Sequence, residues 1–323
     1  MSNVIEVEHL SKVYGSHTAI EDIHFSVSAG EIIGFLGPNG AGKTTTMRIL
    51  AGYLPASAGT ARIAGYDVHR QSMEVRRRIG YLPETPPLYP DMTVEGFLHF
   101  VAKIKGISAG ERGKRVRSAI KRCQLTDKTK TVVRKLSKGY RQRVGIASAI
   151  VHEPPVIILD EPTVGLDPRQ IIEVRNLIKS LAGEHTIILS THILPEVSMT
   201  CDRVTIVNCG KVVTSNTPQD LMARLKSKSG YELEVAGDLK VLLSALREIL
   251  GVTMVTASSQ KTPADVRHKV IEIACNSNIE LGKDIATTII NNGGDLYEMR
   301  RTRPSLEDVF LHLTTEEKTF TNN

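Results

Sequence analysis

One short segment limits what this chain can fold into more than any other. Gly37-Pro-Asn-Gly-Ala-Gly-Lys-Thr44 follows the apolar run Glu31-Ile-Ile-Gly-Phe-Leu36 and precedes a helical pattern over residues 44–51. Glycines let a backbone wrap tightly with no Cβ in the way, so successive N–H groups and the next helix N-terminus point at one spot. That spot attracts an anion. The spacing G-x-x-x-x-G-K-[ST] lets a lysine reach the β- and γ-phosphates of a nucleoside triphosphate while the adjacent hydroxyl ligates Mg²⁺. The candidate phosphate cradle is therefore Gly37, Pro38, Asn39, Gly40, Ala41, Gly42, Lys43, Thr44 and Thr45, with Lys43 as the charge and Thr44 as the metal ligand. The alternative is a glycine-rich turn with a solvated lysine. A chance match to the spacing in this chain is of order one in a hundred, and the strand–loop–helix context lowers those odds further.

Two more short apolar runs end in polar residues: Val156-Ile-Ile-Leu159 runs into Asp160-Glu161, and Thr186-Ile-Ile-Leu189 into Ser190-Thr191-His192. Runs this short and β-branched predict strands buried on both faces, as in a parallel sheet covered by helices. Ligands of open α/β sheets sit outside the carboxyl ends of the strands, so all three polar ends belong to one edge. An unpaired Asp160 after an apolar run would be costly to desolvate, and a Mg²⁺ ion, held through water, removes that cost. Glu161 is placed to polarise an attacking water as general base. Taken alone, an Asp-Glu pair after a strand is more often a helix start or a solvated pair. A lone His192 is usually structural, yet here a ring N–H can reach a γ-phosphate as charge leaves it. Position alone does not choose between those readings.

Residues 93–152 form a mostly helical insert between the first two of these strands. Ser108-Ala-Gly-Glu111 is a capping box, and Ser137 an N-cap for a helix with Ile146 and Ile150 on one face. Residues 103–143 hold fifteen Lys or Arg against Glu111 and Asp127, a net of +13, whereas the whole chain (41 basic, 35 acidic) sums to +6. The basic excess belongs to this insert. It can be a solvated face, a patch near anionic headgroups or a nucleic-acid surface. Tyr140 is the one aromatic in that stretch and the chain has no Trp, which speaks against stacking on single-stranded nucleic acid.

At 323 residues the chain has room for about two domains at roughly 150 residues each. After residue 216 the pattern restarts as strand 231–235, helix 239–250, strands 252–256 and 270–274, helix 281–291 and strand 295–300. That βαββαβ order predicts a ferredoxin-like fold. Ser227–Gly230 reads as the linker, Pro304 onward as a short helix, and Thr314 onward as a polar tail. The expected domains are 1–226 and 230–315. Four cysteines without CxxC spacing fit free thiols in a reducing compartment. No apolar run approaches the ~20 residues that cross a bilayer, and MSNVIEVEHL carries acids where a secretory signal is basic, then apolar. These features predict a cytosolic protein.

Taken together, residues 1–220 resemble the ATP-binding subunit of an ABC transporter. Leu136-Ser-Lys-Gly-Tyr140, followed by Arg-Gln-Arg, is similar to the family signature LSGGQ-QR, Gly165-Leu-Asp-Pro168 to the D-loop, and Ser190-Thr-His192 to the switch histidine. Tyr14 resembles the aromatic that stacks on adenine; a surface strand tyrosine is the other reading. The resemblance implies a P-loop NTPase ABC ATPase domain with a helical subdomain at about 93–152, plus a small α+β domain. It also implies a head-to-tail dimer with a second ATPase subunit, expected to be identical. In that dimer Ser137 and Gly139 hold the γ-phosphate of the partner's ATP, and Asp167 communicates between the two sites. Lys43, Glu161 and His192 are then the catalytic set, with Thr44, Asp160 and Glu84 around Mg²⁺.

Three residues depart from the family pattern: Lys138 stands for the first signature Gly, Tyr140 for Gln, and Glu84, in Gly80-Tyr-Leu-Pro-Glu84, for the Q-loop Gln. A carboxylate there accepts from water or ligates Mg²⁺ but does not donate at neutral pH. Pro304–Thr314 resembles the ending of ATPase subunits from simple bacterial exporters of drugs, polysaccharides or gliding-motility type, whose permease is a separate polypeptide. The expectation is an ATPase peripheral on the inner face of the cell membrane, using ATP and Mg²⁺, with a separate permease partner and no nucleic acid. The alternatives are a soluble ABC ATPase acting on nucleic acid or ribosomes, and a non-hydrolysing partner in a heterodimer.

Overall fold

The short apolar runs lie side by side in one sheet. The computed structural model describes residues 3–224, 229–257, 268–275, 280–302 and 310, and divides into the units Met1–Pro218 and Gln219–Asn323. The first unit runs β1 (Asn3–Tyr14), β2 (His17–Ser28), β3 (Ile32–Leu36), α1 (Lys43–Leu50), β4 (Ala58–Ile63), β5 (Tyr66–Asp67), α2 (Ser72–Arg78) and β6 (Ile79–Leu82). It continues with α3 (Val94–Ile104), α4 (Ala109–Arg122), α5 (Lys138–Ile150), β7 (Val156–Asp160), α6 (Pro168–Leu181), β8 (Thr186–Thr191), α7 (Leu194–Thr200), β9 (Arg203–Asn208) and β10 (Lys211–Asn216).

The main sheet has the order β10-β9-β3-β8-β7-β6, parallel throughout except for β10 at its edge. Every residue of β3, β7 and β8 is buried, as runs without alternation predict. Leu36 pairs with Thr191 and Asp160 with Ser190, so the three polar ends leave the sheet at the same level.

A second sheet, order β2-β1-β4-β5 and antiparallel, was not anticipated from sequence. Its pairing shifts register at several points, and His9 and Asp22 sit at φ 51. Such bulges break the period of two that marks a strand in sequence. Ile5, Ile20, Ile23 and Phe25 of this sheet pack with Ile33, Phe35 and Met47 in one core, where the Phe25 and Phe35 rings lie 5.0 Å apart.

Each helix of the insert opens on a hydroxyl cap: Thr93 accepts from Gly96 N (3.1 Å), Ser108 from Glu111 N (3.4 Å) and Ser137 from Tyr140 N (3.4 Å). Caps of this type contribute about 1 kcal/mol each. The +13 stretch is partly neutralised from outside itself. Arg115 pairs with Glu153, Arg122 with Glu184, Arg134 with Asp91 and Arg143 with Glu173.

The second unit holds most of α8 (Pro218–Arg224), then β11 (Ser229–Ala236), α9 (Leu239–Arg247), β12 (Val252–Ala257), β13 (Lys269–Cys275), α10 (Gly282–Asn291) and β14 (Asp295–Thr302). Its sheet, order β12-β13-β11-β14, is antiparallel throughout, the arrangement of a ferredoxin-like fold. Leu242, Leu246, Ile285 and Ile289 of its helices share a core with Leu233, Ile271 and Ile273. The linker expectation needs correction. Ser229 and Gly230 belong to β11, where Gly230 pairs with Ala274 and Thr302. Ser227, Lys228, the helix expected from Pro304 and the tail from Thr314 lie outside the described residues, apart from Phe310.

One buried and one half-buried imidazole give the fold an acid liability. His152 Nε2 donates to Ile79 O (2.9 Å) and His185 Nδ1 to Pro154 O (2.6 Å). Burial lowers the pKa of both, with the Lys105 ammonium pushing His152 down further, to about 3. The unfolded chain protonates these rings near pH ~6.5 while the folded chain keeps them neutral, so their stability contribution is complete above that pH and declines below it. The melting temperature is expected to fall between about pH 7 and about pH 5, and His152→Gln to flatten that slope. An unchanged slope in the variant would assign the titration to other groups.

Candidate functional site

The loop between β3 and α1 is shaped by glycine. Gly40 and Gly42 have φ of 81° and 100°, and a Cβ on Gly42 would lie 2.5 Å from Ile20 Cγ2 and 2.8 Å from Ala19 O. A left-handed backbone with no space for a side chain leaves Gly as the residue that fits. Lys43 opens α1 and is 5% exposed. Its ammonium donates to Gly37 O (2.7 Å) and Pro38 O (3.1 Å) and lies 3.5 Å from Glu161 Oε1. A phosphate oxygen entering the loop competes with these oxygens for one buried cation.

Asp160 ends β7 at 1% exposure, and its Oδ1 accepts from the hydroxyls of Thr44 (3.3 Å) and Ser190. Ser190 was not singled out from sequence as a site residue, yet it links the Asp160 carboxylate to the Glu161 backbone. The Glu161 N–H donates to Ser190 O (3.0 Å) and Oγ (3.2 Å). Glu161 itself sits at φ 48°, a conformation that costs of order 1–3 kcal/mol for a side chain of this kind and persists where the surroundings enforce it. That backbone places its carboxylate, 7% exposed, between the Lys43 ammonium and His192 Nδ1, 2.9 Å from Oε2. The Thr44 hydroxyl and Asp160 carboxylate are hard oxygen donors side by side. Mg²⁺ keeps waters and phosphate oxygens in most of its positions and takes one or two ligands from protein, so this pair fits it.

A cleft of about 460 Å³ opens above these groups, lined by Asn39, Gly40, Gly42, Lys43, Thr44, Thr45, Glu161 and His192, with Tyr14 and Glu84 also on its walls. Gly37 and Pro38 contribute carbonyls to Lys43, and Ala41 is buried. Tyr14 ends β1 at 47% exposure, with Lys12 Nζ 5.1 Å from its ring centroid. His17, Ala19 and Val164 also line the cleft. Sequence reading missed them because they come from the unanticipated β2 and from the turn after Glu161.

Ser137, Gly139 and Asp167 are not in that cleft. They line a second one of about 580 Å³ where the N-termini of α5 and α6 meet. Ser137 caps α5, and Asp167 caps α6 by accepting from Gln170 N (2.9 Å). A Cβ on Gly139 would lie 2.7 Å from the Gln170 side chain. Tyr140, in the place of the signature Gln, has Lys128 Nζ 5.2 Å and Arg143 Cζ 5.6 Å from its ring centroid.

Comparison with known proteins agrees with this geometry. The family model described as "ABC transporter" matches residues 20–164. The linearmycin resistance ATP-binding protein LnrL of Bacillus subtilis is 32% identical over 96% of this chain and 98% of its own length. The bacitracin transport ATP-binding protein BcrA of Bacillus licheniformis is 34% identical over 97% of this chain and 98% of its own. Among solved structures, the ATP-binding subunit of an ABC transporter superposes with a TM-score of 0.62 at 34% identity, covering 69% of this chain and 93% of its own. A dimeric post-hydrolysis cassette, MJ0796 bound to ADP and Pi, superposes with a TM-score of 0.60 at 25% identity, covering 66% and 98%. The chain belongs to the ABC transporter family, as an ATP-binding subunit that hydrolyses ATP.

Proposed function

We propose that this subunit drives export through a separate permease, as half of a head-to-tail ATPase dimer whose two ATP sites are each completed by the partner. The observation that carries this reading is the division of the predicted site residues between two clefts of one chain. The first cleft offers a buried cation, a metal pair and a general base; the second offers two helix N-termini and Ser137. Each is half of a triphosphate site, and two copies arranged head to tail unite them. The dimeric cassette among the structural relatives supports the assembly.

In this reading Tyr14 stacks on adenine and the loop N–H groups with Lys43 hold the β- and γ-phosphates. Thr44 and Asp160, with Glu84 from the cleft lining, would hold Mg²⁺, which would supply positive charge to the phosphate oxygens. Glu161 accepts the proton of the water that attacks the γ-phosphorus, and ADP leaves. His192 donates to a γ-phosphate oxygen as negative charge builds there. Closure excludes water and joins both halves of each site; loss of the γ-phosphate reopens the dimer. Asp167, which lines the second cleft, is the residue this reading assigns to communication between the two sites.

The permease reading draws on a groove of about 600 Å³ whose walls include Tyr53, Tyr81, Tyr89, Phe97 and Phe100, five of the chain's fourteen Phe and Tyr residues. A partly exposed aromatic groove in an aromatic-poor chain suits an apolar helix of a membrane partner. Among the described residues no helix is long and apolar enough to cross a membrane. Relatives named for linearmycin resistance, bacitracin transport and Nod factor export support export as the direction.

Lys43→Ala removes the phosphates' charge partner and is expected to weaken ATP binding at least about tenfold in a fluorescent-nucleotide titration; equal affinity would contradict the cradle. Glu161→Gln keeps shape but removes the base. It is expected to slow hydrolysis by about 10²-fold or more and to accumulate an ATP-bound dimer on size exclusion. Turnover at the wild-type rate would strip Glu161 of that role. Mixing Lys43→Ala with Ser137→Ala protein is expected to restore part of the ATPase activity each lacks alone, because one composite site per mixed dimer is intact. Absence of any rescue counts against the shared-site geometry.

A further inference from the structure

Glu196 is a buried carboxylate that the reaction above does not use. It is 3% exposed in α7, and no ion pair neutralises it among the described residues. Both oxygens are taken by hydroxyls: Thr163 donates to Oε1 and Thr191 to Oε2 (2.8 Å). Burying a carboxylate on hydroxyl donors alone is a costly choice for a chain that needs only packing there. Thr163 lies two residues beyond Glu161, and Thr191 directly precedes His192. The Thr191 hydroxyl also accepts from Ile193 N (3.0 Å), which fixes the backbone on the far side of His192. One carboxylate therefore ties the loop of the general base to the loop of the switch histidine.

The connection continues toward the second cleft. A turn closes after Glu161, with Val164 N donating to Glu161 O (3.3 Å) and Leu166 N to Thr163 O (3.1 Å). It carries Gly165, at φ 67°, against Lys138: a Cβ on Gly165 would run into the Lys138 ammonium. Gly139 abuts Gln170, and Arg143 pairs with Glu173. Contacts thus run without a gap from His192, through Glu196 and the D-loop, to the first turn of α5.

We propose that Glu196 is a positioning residue that holds the Glu161 and His192 loops in register and transmits their setting through Gly165 and Lys138 to α5. The consequence for catalysis rests on the function proposed above. What one site senses at His192 adjusts the Ser137 and Gly139 that the same chain presents to the opposite site. Lys138, which replaces the usual glycine, is then the side chain that makes the last link.

The test uses the full chain with Glu196→Ala and Glu196→Gln, read by amide hydrogen exchange and by Mg-ATPase kinetics. Glu196→Ala is expected to raise exchange in residues 161–167 and also in 137–143, leaving 229–257 unchanged. Its kcat is expected to fall about tenfold while KM for ATP moves by less than about threefold. A Gln amide accepts from one threonine and donates to the other, so Glu196→Gln is expected to return both readouts to within about threefold of wild type. On a His192→Ala background, Glu196→Ala is expected to slow turnover by clearly less than the tenfold seen alone, since one of the two groups it holds in register is gone. Increased exchange confined to α7, a KM rise at unchanged kcat, or multiplied losses in the double variant would each overturn the proposal. Should Glu196→Ala fail to fold, Thr163→Val, which deletes one of the two hydroxyls, is held to the same pattern. Should Glu196→Ala give the expected exchange response while mixed Lys43→Ala and Ser137→Ala proteins show no rescue, the shared-site function proposed above falls and the loop coupling stands.

Discussion

Three parallel strands buried along their whole length must bring their chain ends out of the core at a common edge, and the site follows from that requirement. A backbone inside β3, β7 or β8 has its N–H and C=O groups taken by neighbouring strands, so the first residues free to do chemistry are those just past the carboxyl ends. Leu36 pairs with Thr191 and Asp160 with Ser190, so the three ends reach that edge within one residue of each other. The phosphate loop, the two carboxylates and the switch histidine are neighbours because the sheet gives them no other exit.

The charges gathered there hold each other in place. Lys43, Asp160 and Glu161 are all nearly buried, and none would be stable there alone. Lys43 is satisfied by two loop carbonyls and Glu161, Asp160 by two hydroxyls, and Glu161 by Lys43 and His192. The Lys43 cation is already held in place beside the cleft, so an anion arriving there would redirect it without ordering it from solution. The left-handed Glu161 belongs to the same logic, with strain at one residue held by Ser190 on the adjacent strand.

The signature residues take another course. Ser137, Gly139 and Asp167 cap or flank two helices and line a cleft separate from that of the phosphate loop. The turn from Glu161 to Asp167 runs from the lining of one cleft to that of the other, and Glu196 bonds it at Thr163. Gly165 is required there twice over, by its positive φ and by Lys138 against its α-carbon. The departure of Lys138 from the family signature is therefore accommodated by a glycine that the same chain supplies.

Local sequence was sufficient wherever the physics is local. The glycine spacing of residues 37–44, the β-branched runs, the caps at Ser108 and Ser137 and the βαββαβ order after residue 228 all depend on neighbours within a few positions, and each is legible without coordinates. The antiparallel sheet of β1, β2, β4 and β5 was not, because bulges at His9 and Asp22 interrupt its alternation. Ser190 and Glu196 were not either, since a serine after an apolar run and a glutamate in a short helix carry no signal until strand pairing brings their partners within reach. The sequence by itself determined that a glycine-rich loop would leave one buried strand end and carry Lys43 into the helix that follows. Only tertiary structure decided that Glu161 would lie between Lys43 and His192, and that Ser137 would face a separate cleft, because both depend on distances across the sheet that no spacing along the chain encodes.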